Sequence, residues 1–442
     1  MRARLQAAGA RAELLELDGA PPVVWGKLAA PGASRTLGLY IHYDGQPVEP
    51  SEWRHDPWTP TLYTRAMEAG GEPRALPRPG EPVDPEWRLY ARAAGDDKAP
   101  LSALFAALAG LREAGLRPTS NLVFFFEGEE EAGSPHLRSF LERYRDRLAD
   151  VDLWLFLDGP SHPSGRPQIA YGVRGMTELE LTVYGALRPL HSGHYGNWAP
   201  VPGRLLAELL ASFYDERGQV AVRGFYDSVA PLGPAEREAL ARLPNEDERL
   251  RRELGLAAVE GSGQTLAERL LLPSLTIQGM ASGSVGDRAQ NVIPPDARAN
   301  LGIRLVKGND PEQMLDLVEA HIERQGFHLV HQDPDLATRL AHPKLAGVER
   351  LGGYPAARTP MDLPLGAALT AAAARASGQE PVLLPGMGGS LPLYLFNDFL
   401  GQPCLIVPVA NADNRQHAAN ENLRLANLWY AIDLYGALLT LP

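Results

Sequence analysis

Cysteine is nearly absent from this 442-residue chain: Cys404 is the only one, which excludes an intramolecular disulfide. It stands in the apolar run "PCLIVPVA", so a buried core residue is the expected reading, not a nucleophile. Lysine is almost as scarce, occurring at Lys27, Lys98, Lys307 and Lys344, while arginine carries the remaining positive charge. A formal net charge of −12 argues against a nucleic-acid partner, whose phosphates require basic patches. No run of about 18 apolar residues exists, so no membrane span is expected. The charged N-terminal stretch "MRARLQAAGARAELLEL" lacks the apolar segment of a signal peptide, and the expected location is cytoplasmic. A phosphate loop of the GxxxxGK[ST] type is also missing, which weighs against a phosphoesterase.

What is present is a rhythm of buried strands and helices. "LGLYIHY", "NLVFFFEG" and "VDLWLFLDG" are near-continuous apolar runs, as parallel strands covered on both faces should be. "DDKAPLSALFAALAGLREAG" and "SPHLRSFLERYRDRLAD" separate them as helices, the second opening at Ser134–Pro135. From about Met176 the pattern changes. "TELELTVYG" alternates, with Leu179, Leu181 and Val183 on one face, as in a half-exposed antiparallel strand. "ARANLGIRLV" and "FHLVHQD" resemble it, with a helix near "DPEQMLDLVEAHIERQG" between them. The Arg/Glu-rich stretch 233–260 reads as a solvated helical insertion. Beyond residue 340 the first texture returns, with helical "PLGAALTAAAARASGQ", apolar "QPCLIVPVA" and a helix-rich end. The expectation is an α/β catalytic domain with a mostly parallel sheet, residues 1–172 and 341–442, interrupted by an inserted α+β domain, 173–340.

In open parallel sheets ligands bind beyond the carboxyl ends of the strands. His42 and Asp44 end the first apolar run, Glu127–Glu131 the second and Asp158 the third; Asp96–Asp97 open a helix and His417 follows the last buried strand. Singly, each has an ordinary explanation: Asp96 as a helix cap, His42 as a satisfied core histidine. Together, two histidines and several carboxylates on one sheet edge favour a metal centre over a solvated edge. The remaining histidines invite only the ordinary reading.

The order and spacing of eight motifs resemble the dinuclear metallopeptidases of the carnosinase, aminoacylase and carboxypeptidase type. They are "HYDGQP" (42–47), "GDDKAP" (95–100), "EGEEEAGS" (127–134), "LDGP" (157–160), "LHSGHYG" (190–196), "NVIPPDARA" (291–299), "GGSLP" (388–392) and "HAANENL" (417–423). The resemblance implies two divalent ions, zinc with manganese or cobalt as alternatives, between a catalytic domain and a lid that forms a homodimer. It implies Asp96 as bridging ligand, His42 and Asp158 on one ion, and Glu131 and His417 on the other. Asp44 orients the His42 imidazole, and Lys98 is read as partly balancing the carboxylates. Glu130 is the implied general base toward a water bridging the ions, and His191, from the other subunit, the implied oxyanion donor. Asn291, Arg304 and Ser390 are the implied contacts to the substrate's polar end, while Glu127 and Glu129 carry no assigned role and are read as ordinary loop charges.

The chain departs from the pattern at Ala99, at Pro189, at Gly196–Asn197 and before "GGSLP", where Gly386–Met387 stand in place of an arginine. None of these is an implied ligand. The function implied is hydrolysis of an amide bond in a small substrate, a dipeptide or similar. An N-acyl amino-acid amidohydrolase on the same site is the alternative. A non-catalytic metal-binding dimer ranks last, because Glu130 and His191 are not needed merely to hold metal.

Overall fold

The computed structural model describes residues 1–261 and 263–442. Its larger sheet has eight strands in the spatial order Arg11–Leu15, Val23–Leu28, Asn121–Glu127, Thr36–His42, Leu153–Phe156, Cys404–Ile406, Gln168–Ala170 and Val382–Leu384. Thr36–His42 runs parallel to both of its neighbours, and Cys404–Ile406 continues parallel to Leu153–Phe156. The mostly parallel centre is the one expected; the antiparallel edge formed by Arg11–Leu15 and Val23–Leu28 was not read from the sequence.

The phenylalanine run shows why these strands are apolar throughout. Successive strand residues point to opposite faces. Phe124 and Phe126 accordingly join one core layer, under the helices Lys98–Glu113, Pro364–Ser377 and Leu425–Leu439. Phe125 enters the other layer with Tyr40, Trp154, Phe156 and Phe396, beneath the helix Leu137–Arg143. That helix starts later than Ser134–Pro135 because Ser134 lies in the left-handed region at φ 53°. Cys404 is fully buried, and burial pushes its thiol well above the usual range, as a core residue requires.

Gly38 sits opposite Trp154 in the parallel register, and a β-carbon there would lie 2.3 Å from the indole. Gly38→Ala is therefore expected to destabilise the fold by about 1–3 kcal/mol through overpacking, read as a lowered urea midpoint with unchanged slope.

The second sheet has five strands in the order Ser274–Ala281, Asp296–Leu305, Gly175–Tyr184, Leu345–Tyr354 and His328–Val330. Leu179, Leu181 and Val183 are buried beneath the helices Pro202–Ser212 and Pro311–Arg324. Glu180 on the other face pairs with Arg298. Leu345–Tyr354 pairs with Gly175–Tyr184, so this sheet extends past the residue 340 expected as the boundary. The 233–260 stretch contains the helices Pro234–Ala241 and Asp247–Glu253, and surface ion pairs such as Arg249–Glu253 and Arg252–Glu248 line it. Among the described residues no helix is long and apolar enough to cross a membrane.

Candidate active site

Three parallel strands deliver their carboxyl ends to one edge of the larger sheet. Thr36–His42 ends on the buried His42, its neighbour Asn121–Glu127 leads into Glu130 and Glu131, and Leu153–Phe156 leads into the buried Asp158. Asp96 precedes the helix Lys98–Glu113, and His417 lies on the loop after Cys404–Ile406.

These side chains converge. His42 Nε2 lies 2.8 Å from Asp96 Oδ1 and 3.9 Å from Asp158 Oδ2. His417 Nε2 lies 3.1 Å from the other oxygen of Asp96 and 3.2 Å from Glu131 Oε2. Two groups of metal-ligand type result, His42–Asp96–Asp158 and Asp96–Glu131–His417, the candidate ligand atoms of each within 4.8 Å of one another. Asp96 belongs to both, and its two oxygens face opposite ways, one toward each histidine.

The surrounding bonds orient the set. Asp44 Oδ1 is 3.1 Å from His42 Nδ1, and its other oxygen accepts the Glu131 backbone N–H at 3.1 Å. Gln46, which the sequence did not single out, donates to Glu131 Oε2 at 2.8 Å. Asp97 is fully buried; one oxygen accepts the His42 N–H, and the other has no partner among the described residues.

Electrostatics show what the cluster wants. Burial, reinforced by Asp96, pushes Asp158 up to about 7, and burial with the Asp158 charge holds Asp97 well above the usual carboxylate range. Glu130 is raised well above its usual value by burial and by Asp158. Burial acts against the His42 imidazolium, but its bonds to Asp44 and Asp96 outweigh that and raise it. Hydrogen bonds to Asp96 and Glu131 lift His417 to about 10. Buried like charges of this kind are relieved by cations, and the nitrogen and carboxylate donors fit a pair of divalent ions.

A histidine must shed its proton to become a ligand. Titration with Zn²⁺ near neutral pH is therefore expected to release protons, and affinity to fall as pH is lowered. Calorimetry in buffers of different ionisation enthalpy reads the release directly.

The other expected residues fall into two places. Ser390 and Glu130 line the same small cavity of about 50 Å³, with Tyr354 and Tyr394. Arg304, on the strand Asp296–Leu305 of the second sheet, donates to Ser390 Oγ at 3.0 Å. His191 and Asn291 lie elsewhere: both are exposed, His191 on a two-stranded ribbon of Leu190–His191 and Val292–Ile293 whose Leu190 and Ile293 are buried, and Asn291 just before its second strand. Among the described residues no hydrogen bond joins either to the acidic cluster, and His191 Nδ1 accepts the Gly193 N–H instead.

Three readings change. Lys98 is exposed and forms no ion pair among the described residues, so the countercharge is not lysine but the two histidines. Glu127 is buried and accepts from Tyr40 Oη at 2.5 Å, while Glu129 pairs with His136 at 2.9 Å; neither is a free loop charge. Glu421, unremarked in the sequence, is fully buried beside Asp96.

Comparison with known proteins decides the family. The model of "Peptidase family M20/M25/M40" matches residues 38–441. The chain belongs to this family. It is 26% identical over 420 residues to the Cys-Gly metallodipeptidase dug1 of Schizosaccharomyces pombe, covering 94% of this chain and 81% of that one. It is also 26% identical over 425 residues to the human Beta-Ala-His dipeptidase, covering 94% and 76%. The M20 family metallo-carboxypeptidase Sso-CP2 of Sulfolobus solfataricus has a similar structure, with a TM-score of 0.79 at 27% identity over 99% of this chain and 92% of that one. The α/β architecture with its second sheet is thus that of the M20 fold, and the chain is a metal-dependent hydrolase of peptide bonds.

Proposed function

We propose that this M20 chain is a dipeptidase working as a homodimer on two divalent ions, zinc being the ion its histidine and carboxylate donors suit. Asp96 would be shared by the two ions, with His42 and Asp158 holding one and Glu131 and His417 the other. Ions held there would polarise the scissile carbonyl and acidify a water. Glu130 belongs to neither ligand group and lies beside both. It takes the proton of the attacking water and returns it to the leaving amine. Arg304 and Ser390 hold the carboxylate of the departing residue, the planar guanidinium offering paired donors. His191 donates to the developing oxyanion from the partner subunit, and Asn291, its ribbon neighbour, contacts the substrate's polar end.

The observation that carries this reading is the sharing of Asp96 by two ligand groups, with Glu130 and the Arg304–Ser390 pair at one cavity beside them. Dipeptides as substrates come from the relatives, named for Cys-Gly and Beta-Ala-His. The dimer is supported by the exposure of His191 on its ribbon and by the outward-facing edge strand Ser274–Ala281. Such an edge offers unpaired backbone groups to a second copy.

Removal of N-acyl groups from amino acids is the second reading. Met387, where the family resemblance implies an arginine, brings no charge there; it lies beside Gly159 and its sulfur accepts from Gln168 Nε2 at 3.8 Å. Hydrolysis of mixed dipeptides and N-acyl amino acids, followed by mass spectrometry with Zn²⁺, Mn²⁺ or Co²⁺ added, separates the two. Dipeptide cleavage is expected; cleavage of acyl amino acids alone would transfer the enzyme to the deacylases.

A further inference from the structure

Glu421 receives four hydrogen bonds within one short loop. Its carboxylate accepts from Arg92 Nη1 at 2.8 Å and from the backbone N–H groups of Ala93, Gly95 and Asp96 at 2.9, 2.9 and 3.0 Å. The side chain is fully buried and Arg92 nearly so. The pairing of Asn422–Arg424 with Arg88–Tyr90 brings the two distant segments together.

A buried ion pair can be simple scaffolding, and its net worth to stability is small. Three features here go further. The donors run along the loop and end at Asp96 itself, the one residue common to both ligand groups. The acceptor stands four residues after His417, a ligand candidate of the second group. Both loops also contain backbone that relaxes unless something holds it. Ala93 is left-handed at φ 60°, as are Arg415, His417 and Asn420 at φ 59°, 63° and 61°. Non-glycine residues in that region cost about 1–3 kcal/mol each and persist only where their surroundings fix them.

We infer that Glu421, clamped by Arg92, is the positioning residue that holds Asp96 as the bridge between the two ion sites and ties the bridge to the His417 loop. With the Asp96 N–H pinned, the carboxylate stays between the two histidines with one oxygen toward each. Without the pin, the loop is free to turn one oxygen away, and the two sites stop sharing a ligand. The inference rests on the two-ion reading above.

Glu421→Gln keeps the size of the side chain, but it turns an acceptor oxygen into an N–H₂ group facing backbone donors and leaves the Arg92 charge unpaired. Metal-free wild type, Glu421→Gln and the control Glu86→Gln, which loses only the peripheral Arg424 pair of the same segment, are titrated with Zn²⁺ alone. Stoichiometry is checked by elemental analysis, and metal-free folding by circular dichroism and melting. The expected result is two ions for wild type and control, and Zn²⁺ affinity roughly 10- to 100-fold weaker in Glu421→Gln, a typical cost of losing an outer partner of a metal ligand. A Glu421→Gln protein that melts earlier but binds two ions at wild-type affinity would reduce Glu421 to scaffolding and overturn the inference. Wild type that takes up no ions would overturn the two-ion reading and this inference with it. If Glu421→Gln does not fold, Arg92→Lys decides: weaker loading supports the inference and unchanged loading refutes it.

Discussion

Glu130→Gln is expected to keep two ions and to lose turnover by roughly 10²- to 10⁴-fold, the range that general acid–base catalysis supplies. Glutamine preserves the volume and the neighbours of the side chain but cannot take a proton from water or return one to an amine. The two candidate ligand groups consist of His42, Asp96, Asp158, Glu131 and His417, so the substitution would leave every proposed metal contact in place. Elemental analysis and steady-state kinetics on the same preparation separate the two effects. Undiminished turnover in metal-replete Glu130→Gln would falsify the assignment of the base. Loss of metal together with turnover would make Glu130 a ligand instead.

His191→Ala is expected to lower kcat by roughly 10²- to 10³-fold, as removal of an oxyanion donor does, with the defect curable by a second inactive protein. His191 is exposed, with no hydrogen bond to its own acidic cluster among the described residues. A donor supplied across a two-fold axis predicts complementation. Mixing His191→Ala with Glu130→Gln builds heterodimers in which one of the two sites has both groups intact. After random exchange this returns about a quarter of wild-type activity. Recovery on mixing, measured at constant total protein, shows donation between subunits. Failure to recover, with exchange verified by mass spectrometry, places the donor in the same chain.

The convergence of candidate metal ligands was legible because it obeys a rule of parallel sheets. Strands buried on both faces must be apolar, so polar residues at their carboxyl ends stand out, as His42, Glu131 and Asp158 do. The three phenylalanines before the glutamates are divided between two core layers, and the charges begin where the strand leaves them. Long-range polar pairing was not legible. Glu421 bonds to Asp96 across 325 positions, and nothing near it in "NENL" announces that contact. Glu127 looked like one more loop charge because its partner, Tyr40, sits on the neighbouring strand. Lys98 misled because proximity in sequence to two aspartates does not fix direction; on the first turn of its helix it faces solvent. The strand Leu345–Tyr354 escaped notice because its second half, "RLGGY", lacks the apolar alternation of its partner.

The most direct test is anomalous diffraction at the zinc edge from crystals grown with Zn²⁺. Two peaks are predicted, both within coordination distance of Asp96, one also contacting His42 and Asp158 and the other Glu131 and His417. A single peak, or two peaks that share no carboxylate, would contradict the central claim that Asp96 bridges a two-ion hydrolytic centre.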